Sequence, residues 1–148
     1  MSLKARITAD MKAAMRAGEK QRLSLIRMIQ AGIKQREVDE RIELDDTQVI
    51  AVLERMIRQR REALVMFEAG GRADLVAQET AEIGWLTEYL PARLGDAELS
   101  DLIRAALAAS GASSMKEMGR VMAILRPQIQ GRADMAAVSA RLKAALGG

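Results

Sequence analysis

Cysteine and histidine are absent from the 148 residues. Their absence excludes disulfides, iron–sulfur clusters and thiol chemistry, and it removes the commonest general base and the usual transition-metal ligand. Proline occurs only at Pro91 and Pro127, so long stretches are free to coil. The aromatics are reduced to Phe67, Trp85 and Tyr89. Apolar content comes instead from Ala, Leu, Ile, Val and Met, a selection that favours helix over strand. No apolar run reaches bilayer-spanning length, and Met1-Ser2-Leu3-Lys4 lacks the apolar core of a signal peptide. These two absences give the expectation of a cytosolic protein without a membrane partner. No phosphate loop of the G-x-x-x-x-G-K-[ST] kind is present, and no cofactor is expected.

With 49% hydrophobic and 29% charged residues, the chain has globular rather than disordered composition. Helical periodicity runs through nearly all of it. The spacing predicts helices near 3–17, 19–40, 45–69 and 73–90, separated by Gly18, by Asp45 as a cap with Gln48 as its capping-box partner, and by Gly70-Gly71. Pro91 and Gly95 mark a boundary, after which shorter helices are expected near 96–109, 114–126 and 134–146, with Ser114 and Glu117 as a second capping box. The fold class is therefore all-α: an N-terminal helical bundle over 1–93 and a small three-helix tail over 94–148. Gly-Arg-Ala-Asp occurs at 71–74 and again at 131–134, each copy opening a helix.

Three sets of side chains stand out. Arg60 falls in the apolar face of the third helix, and Glu79 and Glu82 fall in that of the fourth. A partly buried ion pair between these antiparallel neighbours is the economical reading, because an unpaired buried charge is costly. Two carboxylates one turn apart could instead bind a divalent ion, but no third ligand or base is visible, so neither a catalytic nor a metal site is expected. Asp45 and Asp46 read as helix-start acids rather than a paired acid site. Lys20, Arg27, Lys34 and Arg41 recur every seven residues on the second helix, as a solvated face or a phosphate-tracking stripe. In the tail, Lys116 and Arg120 lie across their helix from Met115, Met118, Met122 and Leu125, with Arg126, Arg132, Arg141 and Lys143 nearby in sequence. The net charge of +3 divides as +1 over residues 1–94 and +2 over the shorter remainder. That balance permits nucleic-acid contact without demanding it.

The run from Gly111 through Met122, Gly-Ala-Ser-Ser-Met-Lys-Glu-Met-Gly-Arg-Val-Met, followed by Gly131-Arg132-Ala133-Asp134, resembles the tail motif of the GatB/YqeY family. Arg60-Arg61-Glu62, Gly71-Arg72-Ala73-Asp74-Leu75, Tyr89-Leu90-Pro91, Asp10-Met11-Lys12 and the opening Met1-Ser2-Leu3 are similar to its free-standing members, so the likeness covers essentially the whole chain. It implies a helical domain and a tail similar to the C-terminal region of the B subunit of glutamine-dependent tRNA amidotransferase, where these parts help hold tRNA. The family's carbon–nitrogen ligase label belongs to a catalytic domain that has no counterpart in these residues. Met135 and Ala136 stand where relatives often show Gly and Lys, Ala123 where Gly is common, and Gly95 where a Ser caps the helix.

The function expected is a tRNA-binding or tRNA-enzyme accessory module, with Lys116, Arg120, Arg126, Arg132, Arg141 and Lys143 as RNA-contacting candidates. With no aromatic beyond Tyr89, RNA contact would follow backbone and shape rather than base stacking, and DNA is not an expected partner. The alternative is a helical protein-interaction scaffold that binds no RNA. Oligomeric state is not legible in these residues.

Overall fold

In the computed structural model, which describes residues 1–147, seven α-helices and one 3-10 turn form the regular structure, with no strand among the described residues. The protein is all-α. The chain divides into two compact units, residues 1–90 and the residues from Pro91 on.

In the first unit, α1 (Leu3–Ala17) opens on Ser2, whose hydroxyl accepts from the Ala5 amide, and closes on Gly18 at φ +69°. That left-handed turn reverses the chain directly into α2 (Lys20–Glu40). The second helix ends on Arg41, which is itself left-handed at φ +55° and is the sole such non-glycine residue among those described. Asp45 and Gln48 form the expected reciprocal capping box, both bonds 2.9 Å, and start α3 (Asp46–Ala69). Gly71, at φ +68°, turns the chain into α4 (Ala73–Thr87). The fourth helix stops three residues short of the expected Leu90. Pro91 disfavours helical backbone at the residue before it, and Tyr89 is drawn off toward α1. The core contains Ile7, Leu25, Ile26, Ile29, Leu53 and Leu86, each at most 2% exposed. Burying a side chain of this size stabilises by about 1.5–3 kcal/mol relative to leaving it in water.

The second unit contains α5 (Asp96–Ser110), a 3-10 turn at Met115–Glu117, α6 (Met118–Ile129) and α7 (Met135–Ala145). The expected Ser114–Glu117 capping box does not form. The Glu117 amide bonds the Ser114 carbonyl instead, closing the 3-10 turn, and the Glu117 carboxylate turns to Arg120. Nor does α6 end at Arg126. Pro127 sits inside its last turn, where its missing N–H removes a single ladder bond, and fully buried Ile129 holds the turn on the core. Asp134 accepts from the Ala136 amide and so caps α7 directly, whereas Asp74 in the first Gly-Arg-Ala-Asp copy is already inside its helix. The two copies share a left-handed glycine and an acidic helix start, not one cap.

Candidate functional site

The tail's cations fall into two groups. Arg120 donates through Nη1 to the Ser110 carbonyl at 3.0 Å, capping the C-terminal end of α5, and its Nη2 lies 3.6 Å from Glu117. Arg141 donates to the Ser100 hydroxyl at 2.6 Å. Arg132 donates from Nε to the Ala92 carbonyl at 3.0 Å, while its own carbonyl accepts from the Leu94 amide at 2.8 Å. This reciprocal clamp fastens residues 92–94 to the tail. Three of the six candidate RNA contacts thus hold the tail together, and their donors are committed even where their charge still reaches solvent. Lys116, Arg126 and Lys143 are different: all three are exposed, and none makes a side-chain hydrogen bond or ion pair with the described residues.

The division at Pro91 also sharpens the charge distribution. Residues 1–90 hold 15 basic and 15 acidic side chains; residues 91–148 hold 8 and 5, so the whole +3 lies in the second unit. Arg93 accounts for the difference from the sequence-based split, because it belongs to the tail side of the boundary.

In the bundle, Arg60 and Glu82 meet with Nε to Oε2 at 3.9 Å, and their side chains are 11% and 10% exposed. This is an ion contact without a hydrogen bond: Arg60 Nε and Glu79 Oε2 are both buried and lack partners. Burial pushes the Glu82 carboxyl above the usual carboxylate range, with Arg60 opposing the rise and Glu79 adding to it. The trio brings together two carboxylates and a guanidinium, and no group of three or more metal-ligating side chains occurs among the described residues. Lys20, Arg27 and Lys34 are exposed on α2, and Arg41 is exposed at its C-cap.

Sequence reasoning missed a lock at the end of the bundle. The buried Tyr89 hydroxyl donates to the Asp10 carboxylate, and the Arg6 guanidinium lies 4.8 Å over the Tyr89 ring while donating to the Glu88 carbonyl. Burial and the Asp10 carboxylate both raise the Tyr89 pKa. Two motif segments far apart in sequence, around Asp10 and Tyr89, are therefore one structural fastening. Only their joint presence in the motif could have signalled it. Lys4 and Glu37 make a similar tie at 2.7 Å, with the Leu44 amide on the same carboxylate at 2.8 Å.

The profile of the Yqey-like protein family matches residues 4–146. The chain belongs to the YqeY-like family. Among curated proteins it is 30% identical over 146 residues to "Altered inheritance of mitochondria protein 41, mitochondrial" of Pyrenophora tritici-repentis, covering 96% of this chain and 80% of the relative. It is 34% identical over 89 residues to the protein of the same name from Eremothecium gossypii, covering 60% of this chain and 49% of the relative. These relatives overturn the cytosolic expectation, because they carry a mitochondrial designation. Composition could not have told the compartments apart, since the lack of cysteine and of a long apolar run fits a mitochondrial protein as well as a cytosolic one. No described helix of this YqeY-like chain is long and apolar enough to cross a membrane.

Proposed function

We propose that this YqeY-like chain is an accessory module that contacts tRNA, or works beside a tRNA-handling enzyme, through the phosphate backbone. The placement of its unpartnered cations supports this. Lys116, Arg126 and Lys143 stand exposed on the unit that carries all of the net positive charge. Without aromatics in that unit, contact follows backbone charge and RNA shape, so affinity is modest and falls steeply with salt. The resemblance of the tail motif to the tRNA-handling amidotransferase subunit supports tRNA as the RNA. Ligase chemistry is not part of the proposal, because no nucleophile with an adjacent base and no nucleotide loop is present in the sequence. Affinity purification of the tagged full chain, with and without ribonuclease, tests it. Recovery of tRNA, with co-purifying proteins released by ribonuclease, is the expected result. Protein companions that survive ribonuclease, with no RNA above a neutral helical control, would replace it with the scaffold function.

A further inference from the structure

A groove lies between α2 and α3, entirely within the bundle. The two helices approach closely where Gly32 meets Val52; a Cβ at position 32 would sit 3.4 Å from Val52 Cγ1. Around that approach they leave a groove of about 700 Å³ whose lining includes Met28, Val52 and Met56. Met28 is 50% exposed. Arg55 and Arg58 line the same groove, exposed and without a partner. Arg60 lines it as well, but its guanidinium is buried against Glu82, with Nε to Oε2 at 3.9 Å, and is weakly hydrogen-bonded. Its Nη1 reaches the Met56 carbonyl only at 3.5 Å, its Nη2 has only the Met28 thioether at 3.6 Å, and its Nε has no hydrogen-bond partner. Of the acidic lining residues, Glu40 pairs with Arg36, while Asp39 accepts from the neutral Gln35 at 3.0 Å and keeps its charge, so the lining carries four guanidiniums against two carboxylates.

We propose that this groove docks an acidic amphipathic helix from a partner protein. Its apolar stripe seats on Met28, Val52 and Met56, and its flanking carboxylates pair with Arg55 and Arg58. Charge complementarity selects this occupant, since the open donors are guanidinium forks, which take carboxylates bidentately. The methionines supply an apolar floor that re-forms around different side chains, and a helix laid in such a groove is anchored at i, i+3, i+4 and i+7. A nucleic-acid strand fits less well, because the floor is apolar and offers no aromatic for base stacking.

Fluorescence anisotropy on the full chain tests this with two labelled helical peptides of about five turns. Both carry the same leucine stripe; one has Glu and the other Lys on its flanks. The Glu peptide is expected to bind at least about tenfold tighter, and Arg55→Glu with Arg58→Glu should abolish the preference. Both residues are exposed and unpartnered, so helix content by circular dichroism should be unchanged. Equal binding of the two peptides, binding of neither, or displacement of the Glu peptide by tRNA in a way that the same variant removes would each overturn the proposal. The tail's RNA contact is read separately, by reversals at Lys116, Arg126 and Lys143.

Discussion

Replacing Arg60 by Met removes a charge from the bundle while keeping an unbranched apolar stem in its place. Two magnitudes bound the cost. At 3.9 Å, the attraction between Arg60 and Glu82 is about 4 kcal/mol at an effective dielectric near 20. The abandoned carboxyl can escape by taking a proton, and doing so at neutral pH from its ordinary value of 4.5 costs about 3 kcal/mol. The smaller figure governs. It falls further because burial and Glu79 already hold Glu82 above the usual range. With no hydrogen bond to lose between the pair, Arg60→Met should destabilise by about 2 kcal/mol at neutral pH. For Glu82 the folded pKa is raised, so its favourable contribution is complete below the ordinary carboxylate value and is lost as pH rises through the raised one. The penalty of Arg60→Met should therefore shrink as the solution is acidified through that window. Trp85, the chain's only tryptophan, lies in α4 one turn from Glu82, so urea unfolding followed by its fluorescence reports on the bundle. Changing both Arg60 and Glu82 to Met should recover most of the loss. A single substitution that is neutral, or whose cost is independent of pH, would show that these charges are solvated and that the buried contact has no energetic weight.

Tyr89→Phe should cost about 1.5 kcal/mol in the same assay, because Asp10 loses its hydroxyl donor; no change would mean that the fastening of α1 to the end of α4 is incidental. Glu37 is held below the usual carboxylate range, first by its bond from Lys4 and then by the Leu44 amide. Its contribution to stability is therefore present above the ordinary value and lost as pH falls through the lowered one, so Glu37→Gln should flatten the acid limb of stability against pH, and an unchanged limb would refute this. Trypsin should cut first after Arg93, which is exposed near the start of the second unit, and Arg132→Ala should speed that cut by freeing the Ala92 carbonyl and its neighbours. Mass spectrometry placing the first cuts inside α2 would contradict it.

Much of the fold is written in local signals. Gly18 at its left-handed turn, the Asp45–Gln48 box and the Gly70-Gly71 break are each decided within a few residues, so helix ends are readable there without tertiary information. Local rules fail where packing overrides them. Ser114 has the sequence and the extended backbone of a cap, but a 3-10 turn follows it and its side chain caps nothing, and Pro127 stays inside α6 because Ile129 is buried beyond it. The candidate site was legible as a set of charges but not as a set of partners. Arg120, Arg132 and Arg141 look like Lys116 and Arg126 in sequence; only the fold shows that their acceptors are Ser110, Ala92 and Ser100. The α2–α3 groove depends on how two helices diverge, and no residue pattern encodes that divergence. The Tyr89–Asp10 fastening spans most of the bundle's length in sequence, which is why periodicity could not reveal it.

The most direct test of the tRNA-contact proposal is the salt dependence of tRNA binding by the full chain, wild type against the variant in which Lys116, Arg126 and Lys143 are all changed to Glu. These side chains have no partners among the described residues, so the variant should keep its helix content. If each contacts one phosphate, reversing all three should weaken binding at low salt and reduce the slope of log affinity against log salt by about 2–3. Unchanged affinity and slope, or a larger loss from reversing Lys20, Arg27 and Lys34 on α2, would contradict the assignment of RNA contact to the tail.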